Sequence, residues 1–292
     1  MRRLLLGALA LLAPLCASAA GTAIATGLPG YSLTEVIDWV GGAVAVEVTH
    51  DLDPSTASLE RAKGDAETDL DAQLPDFLQR AVAPLTVDST HLYDDLLAAD
   101  PGFSSRVRDI AVQAKRTDVF LKPDFSALVE RFTLPFFGPR GIALPLFPSR
   151  ATPVRPILGE VTTRRYTGLL IDARGFLPDA GTTRTASLRP SLLPKIWDER
   201  MNVVLEPGMV DPDSLARWGV VGYARTLDDD VVVVRAGNLP LRLAARAVFG
   251  TKSTDVVIST EGARQLLALQ ENIDLLKQGR VVIVCDGLPA AP

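Results

Sequence analysis

Two short apolar runs, each closed by charge and glycine, constrain this chain more than anything else in it. Tyr166–Phe176 reads YTGLLIDARGF, in which Leu169, Leu170 and Ile171 give way at once to Asp172, Arg174 and Gly175. Arg280–Gly287 reads RVVIVCDG and stops in the same manner. Runs of this length that end in charge and glycine are the pattern of a buried strand reaching the rim of a sheet. The two predict central strands of a C-terminal domain. Asp172 and Arg174, two residues apart, fall on one face of an extended chain, and Gly175 lets the backbone turn directly after them.

A chain of 292 residues suggests about two domains. Residues 148–157, PSRATPVRPI, hold three prolines in ten residues without helical or strand periodicity, which marks a linker. The resulting division is a signal peptide at 1–20, a flexible leader at 21–35, an N-terminal α+β domain at 36–147, the linker, and a C-terminal α+β domain at 158–292. In the first domain a strand over Ala43–Thr49 precedes a long helix. Ser55 or Thr56 is its N-cap, Leu59, Ala62, Ala66 and Leu70 form its apolar stripe, and Pro75 predicts a kink or restart. Helices at 89–98 and 104–116 and strands at 118–121 and 126–134 follow. In the second domain, strands are predicted at Val220–Arg225 and Val231–Arg235, joined by a solvated Asp228–Asp230 tip. Leu241–Phe249 reads as either strand or helix. Ser259 or Thr260 caps one helix over Glu261–Lys277.

The N-terminus predicts export. Arg2 and Arg3 precede an apolar run from Leu4 to Leu15, and Ala17-Ser18-Ala19 supplies small residues for cleavage. The run is too short to span a bilayer, so no transmembrane segment is expected in a mature chain beginning at Ala20 or Gly21. Bulky Leu15 before Cys16 argues against lipidation. The expected location is therefore the periplasm or the exterior. Cys285, in an apolar strand, reads as a buried small hydrophobe. A formal net charge of -5 with no basic run argues against nucleic-acid binding.

No catalytic signature stands out. His50 and His91 lie in separate segments, outside any metal-ligand spacing, and His50-Asp51-x-Asp53 reads as a solvated strand end. There is no nucleophile elbow, phosphate-cradling loop or dinucleotide fingerprint, and no cofactor is expected. The charges that stand apart are Asp172 and Arg174 at the predicted rim, which can pair with each other. Arg164, Arg165, Arg184 and Arg189 form a cluster that suits an anionic partner such as a cell-wall polymer. Asp172, Arg174, Arg184 and Arg189 are the candidate partner or ligand rim.

The first half carries a strand, a long Ala-rich amphipathic helix, further helices and a strand pair ending in Leu134-Pro-Phe-Phe-Gly138. The second carries Tyr166–Gly175, Arg235-Ala-Gly-Asn-Leu-Pro-Leu241, Asp255–Ser259 and Val281–Val284. Together these segments resemble the flagellar and envelope assembly proteins of the FlgP/FlgT type. The resemblance implies a non-enzymatic periplasmic structural or assembly component. Its partners would be envelope or flagellar proteins, or further copies of itself. A module that binds a small ligand or the cell wall at the C-terminal sheet rim is the alternative.

Overall fold

The computed structural model describes residues 21–288 except Pro54, Ala57 and Leu158. The predicted signal peptide and Cys16 lie outside the described residues. The chain forms two α+β domains. No helix among the described residues is long and apolar enough to cross a membrane.

The N-terminal domain is an antiparallel sheet covered by helices. Its elements are β1 (Thr22–Ile24), β2 (Tyr31–Asp38), β3 (Ala43–Asp51), α1 (Leu59–Val82), α2 (Tyr93–Ala99), α3 (Pro101–Ala111), β4 (Lys115–Leu121) and β5 (Ala127–Pro135). Sheet order is β1-β2-β3-β5-β4. Residues 21–35 are thus no leader. Leu33 pairs with Val48 and is buried, and β1 extends the sheet edge. Small and polar residues disguised a strand that is half core and half surface.

α1 is capped by Ser58, whose hydroxyl accepts from the Arg61 amide, beyond the predicted cap at Ser55 or Thr56. It buries Ala62, Ala66, Leu70, Phe77 and Leu78 against the sheet, whereas Leu59, expected on the same stripe, begins the helix and is 43% exposed. It also runs unbroken through Pro75. The ring deprives the Asp71 carbonyl of a donor, but Asp71 is exposed, so water can replace the lost bond. α3 stops at Ala111, short of its predicted end, because Lys115 and Arg116 enter β4 and pair with Thr133 and Phe132.

Two carboxylates share the apolar face of this sheet. Glu130 is fully buried, with Arg116 Nε 2.9 Å from its carboxylate. Burial raises its pKa despite that partner. Glu35 faces Val46 across the β2–β3 pair, is 4% exposed, and has one oxygen without a hydrogen-bond partner. Loss of solvent pushes its carboxyl up to about 7. A carboxyl whose folded pKa exceeds its unfolded value holds a proton that the unfolded chain has already lost. Stability therefore falls as pH rises from about 4.5 towards 7. Glu35→Gln is expected to be more stable than wild type by about 2 kcal/mol at pH 8, with the gap closing near pH 4.5. Urea denaturation at both pH values checks this, and a pH-independent gap would refute it.

The second domain has two four-stranded sheets. Its elements are β6 (Leu169–Asp172), β7 (Leu177–Pro178), β8 (Thr185–Ala186), β9 (Ile196–Asp198), β10 (Val203–Leu205), α4 (Pro212–Trp218), β11 (Gly222–Ala224), β12 (Leu241–Ala244), β13 (Ala247–Phe249), β14 (Asp255–Ile258), α5 (Thr260–Leu267), α6 (Gln270–Lys277) and β15 (Val281–Val284). One sheet is parallel throughout, in order β11-β15-β6-β12. The two runs that open the sequence argument are its central strands, buried along their apolar length. The other sheet has order β10-β9-β14-β13. Cys285, just past β15, is 1% exposed, and burial pushes its thiol up to about 12. It is a core residue.

Two predictions about this domain fail. Val231–Arg235 is not a strand: Val232–Ala236 forms a π-helical turn that turns Val232, Arg235 and Ala236 inward and leaves Val233 and Val234 exposed. Asp228–Asp230 is accordingly no hairpin tip, and Asp229 instead accepts from the Arg225 amide and the Thr226 hydroxyl. The single helix over 261–277 is two, broken at Ala268-Leu269. There the Leu267 carbonyl accepts from the Ile157 amide, and buried Asn272 donates to the carbonyls of Arg164 and Gln265. Tertiary donors and acceptors replace the helical ladder at that point.

The domains share one hydrophobic core. Residues 148–157 contain no helix or strand, and they lie along the second domain through Thr152 N to Gly208 O, 2.6 Å. The loop between α1 and α2 is held by the second domain's backbone. Leu192 and Leu193 amides donate to the carbonyls of Thr86 and Val87, and the Lys252 amide to that of Ser89. From the other side, the Gly138 amide donates to the Ala216 carbonyl in α4, 2.7 Å.

Candidate functional site

In a parallel sheet all the strand carboxyl ends fall on one edge, the usual place for a binding site. Here that edge is the rim predicted from the sequence. β6 ends at Asp172, and β15 runs out through Cys285 into Asp286. Arg174 reaches back onto Asp172 with two bonds, Nε to Oδ1 at 2.8 Å and Nη2 to Oδ2 at 2.6 Å. This guanidinium holds the Asp172 carboxyl below its usual range. Asp286 accepts from the Gly175 amide at 2.6 Å. Gly175 has φ 82°, which the side chain of any other residue would resist. The rim is therefore a closed set of pairs.

Arg184 and Arg189 do not join it. They line a neighbouring groove of about 710 Å³ with Lys252, Asp179, Asp286 and Phe176. Arg184 spans 3.4 Å to Asp179, which is nearly buried. Arg189 lines the same groove, and its amide donates to the Ser253 carbonyl. Ser253 itself has φ 54°, a left-handed conformation uncommon outside glycine. Phe176 is 80% exposed. Sequence reasoning missed Lys252, Asp286 and Phe176. The Asp286-Gly287 pair does echo Asp172 and Gly175, so that part of the rim was within reach.

The exposed Asp172–Arg174 pair is expected to organise the rim with little effect on stability. Asp172→Ala, Arg174→Ala and the double variant should each melt within about 2–4 °C of wild type. A larger single-variant loss, with strong coupling between the two, would show that the pair bears structural weight.

A second cavity, of about 290 Å³, lies between the domains. Trp39, Phe136 and Phe137 come from the first domain, and Trp218, Tyr223, Val234, Arg217 and Arg235 from the second. The Trp39 ring sits 5.0 Å from Phe136 and 5.9 Å from Tyr223. Arg235 is 5% exposed and donates from Nε to the Gly279 carbonyl, from Nη1 to that of Trp218 and from Nη2 to that of Gly219. Burial lowers the guanidinium to about 9, which leaves it charged at neutral pH. No sequence signal exposes this cavity, because its walls meet only when the domains dock.

His50 and Asp51 sit apart from both cavities. The His50 ring stacks on Tyr31 at 4.0 Å. Among the described residues no group of three or more His, Cys, Asp or Glu is placed to hold a metal ion.

Residues 31–138 match the family model described as Treponema pallidum Tp0624, N-terminal domain, and residues 168–287 match that described as Treponema pallidum Tp0624, second domain. The chain is thus similar to two successive domains in the same order. No curated protein matches it.

Proposed function

We propose that this protein is a non-enzymatic structural or assembly component of the cell envelope, exported by the leader expected at 1–20 and acting by surface complementarity. The observation that supports this reading is the state of the sheet rim. Where a parallel sheet would offer acids and bases for chemistry, Asp172 is taken up by Arg174, and Asp286 is engaged by the Gly175 amide. General acid–base work needs a side chain free to exchange a proton near neutral pH, and the Asp172 carboxyl is held in the opposite direction. The flagellar setting rests on the resemblance of the segments quoted above. The test is photo-crosslinking in the native cell from exposed Val234, combined with fractionation and a motility assay of a deletion strain. Adducts with envelope proteins in the periplasmic fraction support the reading. Retention in the cytoplasm with residues 1–20 intact, or no adduct from any exposed position, would sink it. Unchanged motility would remove the flagellar setting alone.

One observation favours a second reading, a module that binds an anionic ligand. The groove beside the rim brings Arg189 and Lys252 together with exposed Phe176. Binding of an acidic oligosaccharide that is lost on Arg189→Ala would support it.

A further inference from the structure

We propose that the cavity between the domains is a binding site for an apolar carboxylate, its hydrocarbon part against Trp39, Phe137 and Trp218 and its acid group towards Arg235 and Arg217. Three observations carry this. The walls are aromatic and aliphatic, which suits a ligand with an apolar body. The only charged side chains among them are Arg217 and Arg235, with no aspartate or glutamate in the lining, so the complementary ligand is an anion.

Arg235 supplies the third. A buried guanidinium ordinarily meets a carboxylate. This one meets no carboxylate: three carbonyls each take one N–H from a different nitrogen, and its Cζ lies 5.0 Å from the centre of the Trp218 ring. Five N–H groups less three leaves one on each terminal nitrogen outside those three bonds. A ligand carboxylate would take up those donors with charge-assisted bonds and balance the charge. Arg217, exposed and stacked 5.1 Å from the Trp218 ring, stands at the mouth. The site is independent of the rim and the groove, and it goes beyond the assembly role proposed above.

The same chemistry describes a short-chain fatty acid and the C-terminal residue of an apolar peptide, so the experiment carries both. The full chain is titrated with octanoate, with octanol, and with a pentapeptide ending in Phe as free acid and as amide. Tryptophan fluorescence reports binding, because Trp39 and Trp218 line the cavity. Thermal unfolding is followed in parallel. At least one acid is expected to change the emission and raise the melting temperature, with its neutral counterpart at least about tenfold weaker, the loss of one charge-assisted bond. Octanoate alone would identify a free acid as the ligand, and the peptide acid alone a chain end.

Two variants at exposed positions keep the fold testable. Val234→Trp, at a side chain 68% exposed, should fill the mouth and abolish the response. Arg217→Ala should weaken the acids and leave the neutral compounds unchanged. No response to either acid, equal response to octanol and octanoate, or full binding by Val234→Trp would each overturn the proposal.

Discussion

Gly219→Ala is expected to destabilise the protein by about 3 kcal/mol or more, from two causes that add. Gly219 ends α4 with φ 75° and ψ -170°, a backbone region that is open essentially to glycine alone and costs other residues about 1–3 kcal/mol. Its absent side chain also leaves the space that Phe137 of the first domain occupies. A Cβ here would lie 2.2 Å from that ring's Cζ and 2.6 Å from its Cε1. The half-buried ring packs between the domains and would have to shift to make room, and overpacking of this kind costs roughly a further 1–3 kcal/mol. Gly175→Ala is the control. It shares the positive φ but meets nothing within 4 Å, so only the backbone cost of about 1 kcal/mol applies. Urea denaturation should rank the two in that order. Equal losses would mean that the Phe137 contact contributes nothing.

Arg235→Met is expected to cost about 3–5 kcal/mol, although no carboxylate partner is lost. Methionine fills much of the volume but donates nothing. The carbonyls of Trp218, Gly219 and Gly279 would then be buried without the donors that now meet them. The first two close the C-terminus of α4, where a cation also opposes the helix dipole. Arg235→Lys should recover part of the loss, because an ammonium keeps the charge but cannot reach three carbonyls from one atom. If Met and Lys destabilise equally, charge is irrelevant and the hydrogen-bond fork carries the whole effect. If neither destabilises, Arg235 is not the clasp described above.

These two residues also mark where the sequence stopped being legible. The central strands of the second domain were readable because an apolar run buried on both faces leaves the same trace in any context. The α1 stripe was readable because its apolar residues face one sheet. Val231–Arg235 looked like a strand because β-branched residues favour one, and the reading failed because Arg235 had to turn inward to reach the end of α4. The helix expected over 261–277 failed for a related reason: buried Asn272 and the Ile157 amide take carbonyls that local periodicity assigns to the helix. Of the candidate rim, Asp172 and Arg174 do meet, as a spacing of two allows. Arg184 and Arg189 belong to a different groove, because the β7–β8 hairpin carries them away, and a loop's destination leaves no periodic trace. The interdomain cavity was out of reach altogether, since Trp39 and Arg235 are nearly two hundred positions apart.

The pairing of β6 with β15 sets a timetable for the chain. β6 is the first strand of its domain to leave the ribosome, and β15 is the last. Between them lie more than a hundred residues that must emerge before Leu169 can meet Val281. Until then β6 has only β12 beside it, and β11 has no partner in its own sheet. Contacts this distant along the chain make for late, slow closure and a long-lived open edge. The N-terminal domain, whose five strands are complete by Pro135, is free to fold much earlier. A nascent chain stopped between residues 135 and 281 would thus carry one domain with all its strands and one that cannot close. The last four strand residues decide, for the whole second half, when folding ends.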